Sequence, residues 1–252
     1  MFKFATNRRA VLGGAIAATA VGAVAGPALA RDKTVHQSHV VLLGDSVLDN
    51  GAYVSGGPDV VQQLRRRLPQ GARATLAAID GAVTDGVRLQ LQVVPSDATH
   101  LVVSAGGNDA LHYSKVLEEK ARSVGEALDK LAFVRERFMA DYGAMLDAVA
   151  ARGLPAACCT IYDARFPDEK QRRLASTGLS IFNECITREA SARGLALIDL
   201  RLICSEEADL ANAIEPSVTG GAKIARAIAD FTAEYDSTRG RSEVFAHATA
   251  AI

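Results

Sequence analysis

No stretch of the 252-residue sequence holds the roughly twenty consecutive apolar residues that a membrane span requires. The nearest approach, residues 11–26, is a weakly hydrophobic run rich in glycine and alanine. It lies between a basic start with Lys3, Arg8 and Arg9 and the triplet Ala28-Leu29-Ala30, and this order reads as an export signal cut after Ala30, twin-arginine-like in its Arg8-Arg9 pair. A periplasmic or secreted protein with no stable membrane span after cleavage is expected. Excess charge is also missing. Taking Lys3, Arg8 and Arg9 from the 28 basic residues leaves 25 against 29 acidic ones, a balance that provides no footprint for nucleic acid. Cysteines are few: Cys158, Cys159, Cys185 and Cys204 match neither a zinc site nor a stapled scaffold and read as buried thiols. Glycine-rich phosphate signatures and metal-ligand spacings are absent, so neither cofactor nor metal is expected.

What is present is an alternation. Short runs at 38–43, 73–79, 100–104, 156–161 and 196–198 read as five strands, most of them continuously apolar, as parallel strands covered on both faces are. Helical patterns occupy 58–68, 85–94, 114–152, 169–193 and 218–233. The long region 114–152 is expected as two pieces, interrupted at Gly125 and by the cluster from Phe133 to Tyr142, with Phe133, Phe138 and Met139 in the core. This is the pattern of a three-layer α/β domain with a five-stranded parallel sheet and helices on both faces, spanning 31–236. The polar, small-residue segment 237–252 is expected to be a flexible tail.

Ligands of such sheets bind beyond the carboxyl ends of the strands. Gly44-Asp45-Ser46 follows the first strand, Asp80-Gly81-Ala82 the second, and Ala105-Gly106-Gly107-Asn108-Asp109 the third. Each is a good turn sequence. Each also has a chemical use: Ser46 as a nucleophile, and Gly81 N–H with the Asn108 amide as donors to a developing oxyanion. Tyr162 and Arg165, after the fourth strand, could wall the same crevice. Asp199 and Arg201, after the fifth, read as a structural ion pair.

These three blocks, in this order and each after a strand, resemble those of the SGNH (GDSL) hydrolase superfamily over about residues 40–231. The resemblance implies a flavodoxin-like sheet and hydrolysis of a carboxylic ester, such as a small acyl or carbohydrate ester, through an acyl-enzyme on Ser46. It implies an oxyanion hole of the Ser46 N–H, Gly81 and Asn108.

The family's Asp-x-x-His pair before the last helix is not matched. The Pro and Gly that follow it align with Pro216 and Gly220, which puts Asn212 and Glu215 where the aspartate and histidine stand. Three readings remain open. Glu215 is itself the general base, oriented by Asn212, which requires burial to raise its pKa against the nearby helix start, whose dipole favours the ionised form. Or His112, four residues after Asn108, serves as base. Or the site binds a ligand without hydrolysing it, with Glu215 paired to an arginine. Acyl transfer to an acceptor other than water is a further alternative. Asp45, His112 and Asn212 are accessory candidates beside the catalytic pair Ser46 and Glu215.

Overall fold

The computed structural model describes residues 37–246. The expected export segment, His36, His247 and the last residues of the expected tail lie outside them.

Six strands form one parallel sheet: β1 (His39–Gly44), β2 (Arg73–Leu76), β3 (His100–Ser104), β4 (Ala156–Cys159), β5 (Ala196–Ile198) and β6 (Val244–Phe245), in the order β2-β1-β3-β4-β5-β6. The first five follow the flavodoxin-like order. The sixth corrects the sequence reading. Val244 and Phe245 pair with Leu197 and Ile198, and the Phe245 ring packs edge-on against Phe231, so part of the segment expected to be a tail is sheet.

Seven helices connect the strands: α1 (Val60–Arg67), α2 (Gly86–Gln90), α3 (Gly107–Tyr113), α4 (Val124–Ala150), α5 (Glu169–Ala192), α6 (Leu200–Ile203) and α7 (Val218–Glu234). Their starts are marked by side chains that accept the first free backbone N–H groups. Asp59 caps α1, Ser123 α4, Asp168 α5 and Ser217 α7. The region expected as two helical pieces is a short 3-10 turn at Ser114–Glu118 followed by the unbroken 27-residue α4. Its break falls before the Ser123 cap, because Gly125 is tolerated in the first turn and the aromatic cluster fits the helix. Phe138 is in the core as expected and Met139 packs against it, but Phe133 points outward and is 62% exposed.

Successive strand residues face opposite sides, so the continuous apolar runs feed two cores. Val40, Leu42, Val102 and Ile198 pack under α1 and α7; Val41, Leu43, Leu101 and Val103 pack under α4 and α5. Each such buried side chain contributes about 1.5–3 kcal/mol. Cys158 and Cys159 fall on opposite faces of β4, and all four cysteines are buried free thiols. Burial pushes the Cys158 and Cys204 thiols up to about 12, far from thiolate chemistry. No helix among the described residues is long and apolar enough to cross a membrane.

Candidate active site

The chain order reverses between β1 and β3, and their carboxyl ends meet there. Gly44, with φ +119°, is the close approach: a Cβ would lie 1.7 Å from the Ser104 carbonyl oxygen, so only glycine fits. Asp45 N–H donates to that same oxygen at 3.0 Å. The buried Gln90 amide clasps Gly44 from α2, accepting from its N–H and donating to its carbonyl. Thus the turn carrying Ser46 is fixed from both sides. Asp45 Oδ1 accepts from Val47 N–H and from the Ser104 hydroxyl, each at 3.2 Å. The Ser46 N–H meets no acceptor among the described residues.

Ser46 and Glu215, 169 positions apart, are joined by a hydrogen bond: Ser46 Oγ donates to Glu215 Oε1 at 3.2 Å. The serine is 8% exposed and the glutamate 6%. Glu215 sits in a tight loop closed by a bridge between Leu210 and Pro216 and by Ala211 N–H donating to the Glu215 carbonyl. Three neighbours hold this loop. Tyr162 Oη donates to the Ile214 carbonyl at 2.6 Å, Arg165 N–H to the Ala213 carbonyl at 2.7 Å, and Asn50 Nδ2 to the Pro216 carbonyl at 3.1 Å. Asn50 Oδ1 at the same time accepts from Val60 N–H, so one amide ties the chain after Ser46 both to α1 and to the Glu215 loop. The sequence reading passed over Asn50 and Gln90; the signal available for Asn50 was its place four residues after Ser46.

Asn212 does not orient the Glu215 carboxylate, as had been expected. Its Oδ1 accepts from the backbone N–H groups of Ile214 and Glu215, at 2.9 and 3.0 Å, so it shapes the turn. Of the two opposed influences expected on the Glu215 pKa, burial outweighs the helix start. Burial raises that pKa above the ordinary 4.5, with the Ser46 hydroxyl opposing and the charge of Asp80 adding to the rise. The helix start acts weakly on it because Ser217 Oγ accepts from Thr219 and Gly220 N–H, spending those donors locally. Glu215 Oε2 is buried without a hydrogen-bond partner among the described residues, and no arginine pairs with the carboxylate. Asp45 is raised to about 7, first by burial and further by the charges of Glu215 and Asp109, against the hydrogen bonds from Val47 and Ser104.

Ser46, Glu215, Asp45 and Asn108 line one cavity of about 530 Å³. Asn108, in the first turn of α3, donates one amide hydrogen to the Ala82 carbonyl at 2.9 Å and keeps a second. Gly81 is not a lining residue. It stands in the adjacent Ile79–Ala82 turn with φ +78°, which accounts for the glycine in backbone terms, and the Asn108–Ala82 bond ties that turn to the cavity. His112 is exposed on the last turn of α3 and is not among the lining residues. His39 and His100 begin β1 and β3, at the opposite end of the sheet. Tyr162 lines the cavity, but its hydroxyl is committed to the Glu215 loop. Arg165 does not line it and pairs with Glu207. Arg201 grips Asp199 through two hydrogen bonds, the structural pair expected. No group of three or more His, Cys, Asp or Glu among the described residues is arranged to hold a metal ion.

The model of the GDSL-like lipase/acylhydrolase family matches residues 42–221. No curated protein matches the sequence. Among solved structures, the chain is similar to an extracellular lipase from Streptomyces rimosus, at 20% identity and TM-score 0.57, over 74% of this chain and 95% of that one. It is similar to a phospholipase A1 from Streptomyces albidoflavus NA297, at 15% identity and TM-score 0.56, over 74% and 95%. An acetylxylan esterase from Geobacillus stearothermophilus gives 15% identity and TM-score 0.55, over 79% and 95%. At these identities the likeness is one of fold.

Proposed function

The chain belongs to the GDSL-like lipase/acylhydrolase family, and from that premise we propose that it hydrolyses a carboxylic ester through an acyl-enzyme on Ser46, with Glu215 as general base. The observation that carries this reading is the Ser46–Glu215 hydrogen bond at 3.2 Å inside the cavity. Ser46 Oγ attacks the acyl carbonyl carbon and its proton passes to Glu215 Oε1. The oxyanion is held by the Ser46 N–H and by the second Asn108 amide hydrogen, with Gly81 left outside because it does not line the cavity; donors of this kind contribute about 3–4 kcal/mol each. Collapse of the tetrahedral intermediate expels the alcohol, which takes the proton from Glu215. Water then attacks the acyl-enzyme while Glu215 accepts its proton; as the C–Oγ bond breaks and the acid leaves, that proton passes from Glu215 to Ser46 Oγ, restoring both groups.

A carboxylate is a weak base at its ordinary pKa. Burial makes Glu215 a better one, since a general base works best with its pKa near the operating pH. Asp45, with a pKa of about 7, is largely protonated on the acid side of neutrality, so burial and not a like charge from Asp45 is what raises the Glu215 pKa. The basic and apolar residues of 1–30 add to the reading a protein exported to the periplasm or beyond.

The test is hydrolysis of p-nitrophenyl esters by the protein and by Ser46→Ala, with labelling by a fluorophosphonate. The proposal expects a loss of about a thousandfold or more in kcat/KM and no labelling of the variant. Activity retained in Ser46→Ala would end it.

A further inference from the structure

The cavity that Ser46 and Glu215 line is mostly apolar, and residues of α5 form one of its walls. Leu174, Gly178 and Phe182 are spaced i, i+4 and i+8 on that helix and all three line the cavity. The order along this stripe can be read. Phe182 is buried against Phe138, their ring centroids 4.6 Å apart, and Phe138 abuts Gly106 beside the Asn108 turn. Leu174 is 40% exposed, at the rim. Leu131 and Val134 of α4 line the cavity with them.

Gly178 is the gap in this stripe. A Cβ there would meet nothing within 4 Å, so the space beside it is open. Glycine within a helix is disfavoured relative to alanine, and no turn or close backbone approach requires it here. Eight helical residues rise about 12 Å from Phe182 to Leu174. An extended chain advances about 3.5 Å per three bonds, so the stripe accommodates about ten bonds, with Gly178 about five bonds along.

We propose that this cavity is a channel that takes a straight acyl chain of at least about eight carbons, running from Ser46 past Gly178 towards Leu174, and that Gly178 sets the chain length accepted. The inference rests on the hydrolase reading of Ser46. The acyl group stays on the serine through both chemical steps, so the cavity around Ser46 is where it must be held. Each methylene buried along α5 favours binding by about fourfold, up to the length the channel holds.

The experiment compares kcat/KM for p-nitrophenyl acetate, butyrate, octanoate and decanoate on the wild type, Gly178→Ala and Gly178→Leu. Both substitutions place a better helix former in α5, so the fold is retained. The wild type is expected to prefer octanoate to acetate by at least thirtyfold. Gly178→Leu is expected to lower the octanoate-to-butyrate ratio at least tenfold, with Gly178→Ala between. A profile that is flat or falls with chain length, or a ratio unchanged within twofold in Gly178→Leu, would overturn the proposal. Binding of octan-1-ol by calorimetry separates the two readings: if no ester is cleaved, binding that weakens at least tenfold in Gly178→Leu upholds the channel while the Ser46 chemistry falls, and equal binding by both proteins rejects the channel.

Discussion

Ser46 Oγ donates to Glu215 Oε1 at 3.2 Å, while Oε2 of the same carboxylate is buried with no hydrogen-bond partner among the described residues. A serine base is usually an imidazole held by a carboxylate. Here one carboxyl oxygen faces the nucleophile and the other gains no stabilisation from a donor, which keeps the group basic. What orients it is its loop: Asn212 Oδ1 accepts from the Ile214 and Glu215 N–H groups, and Tyr162 Oη donates to the Ile214 carbonyl.

Asp45 makes stability depend on pH. Its folded pKa is raised from 3.8 to about 7, chiefly by burial. A raised carboxyl holds its proton more tightly in the folded state, so its contribution is fully present below the unfolded pKa and is lost as pH climbs towards the folded one. At 1.36 kcal/mol per unit the loss between pH 4 and 8 is about 4 kcal/mol. Asn at this position can still accept from Val47 and Ser104 through its oxygen. Urea unfolding should therefore show Asp45→Asn gaining on the wild type by about 2–4 kcal/mol between these pH values. A difference that does not change with pH would contradict this.

Tyr162→Phe removes the hydroxyl that holds the Ile214 carbonyl. A part-buried carbonyl left without its donor costs about 1 kcal/mol in stability. Because that carbonyl adjoins Glu215, kcat for an ester substrate should also fall, by about tenfold, with KM little changed. Stability lost with kcat intact would place Tyr162 in folding only.

His112→Ala should leave kcat/KM for p-nitrophenyl butyrate within twofold of the wild type, since His112 is exposed and outside the cavity lining. A hundredfold loss would return the histidine to the site.

The ends of β1 and β3 were legible in the sequence because apolar β-branched runs stop at Gly44, and again before Gly106, where the backbone needs a residue without a side chain, whereas β2, expected to run to 79, ends at Leu76. The pairing of Ser46 with Glu215 was legible only through alignment on Pro216 and Gly220. Spacing along the chain does not report a contact across 169 positions. The sign of the Glu215 pKa shift was left open in the sequence: a helix start is visible there, but the burial that raises the pKa arises from the packing of Tyr162, Asn50 and Ser46 around the loop. The two-residue strand Val244–Phe245 was missed because it lies in a polar stretch and is made by pairing with β5 and by the Phe231 contact. Asn212 was given to a side chain when it serves the backbone, a distinction that one-letter patterns do not carry.

The most direct measurement is kcat/KM of Glu215→Gln on a p-nitrophenyl ester. Glutamine preserves the size of the side chain and can still accept a hydrogen bond from Ser46, but it cannot take the proton. The account predicts a loss of about a hundredfold to ten-thousandfold with the fold intact. A Glu215→Gln protein working within threefold of the wild type would contradict it.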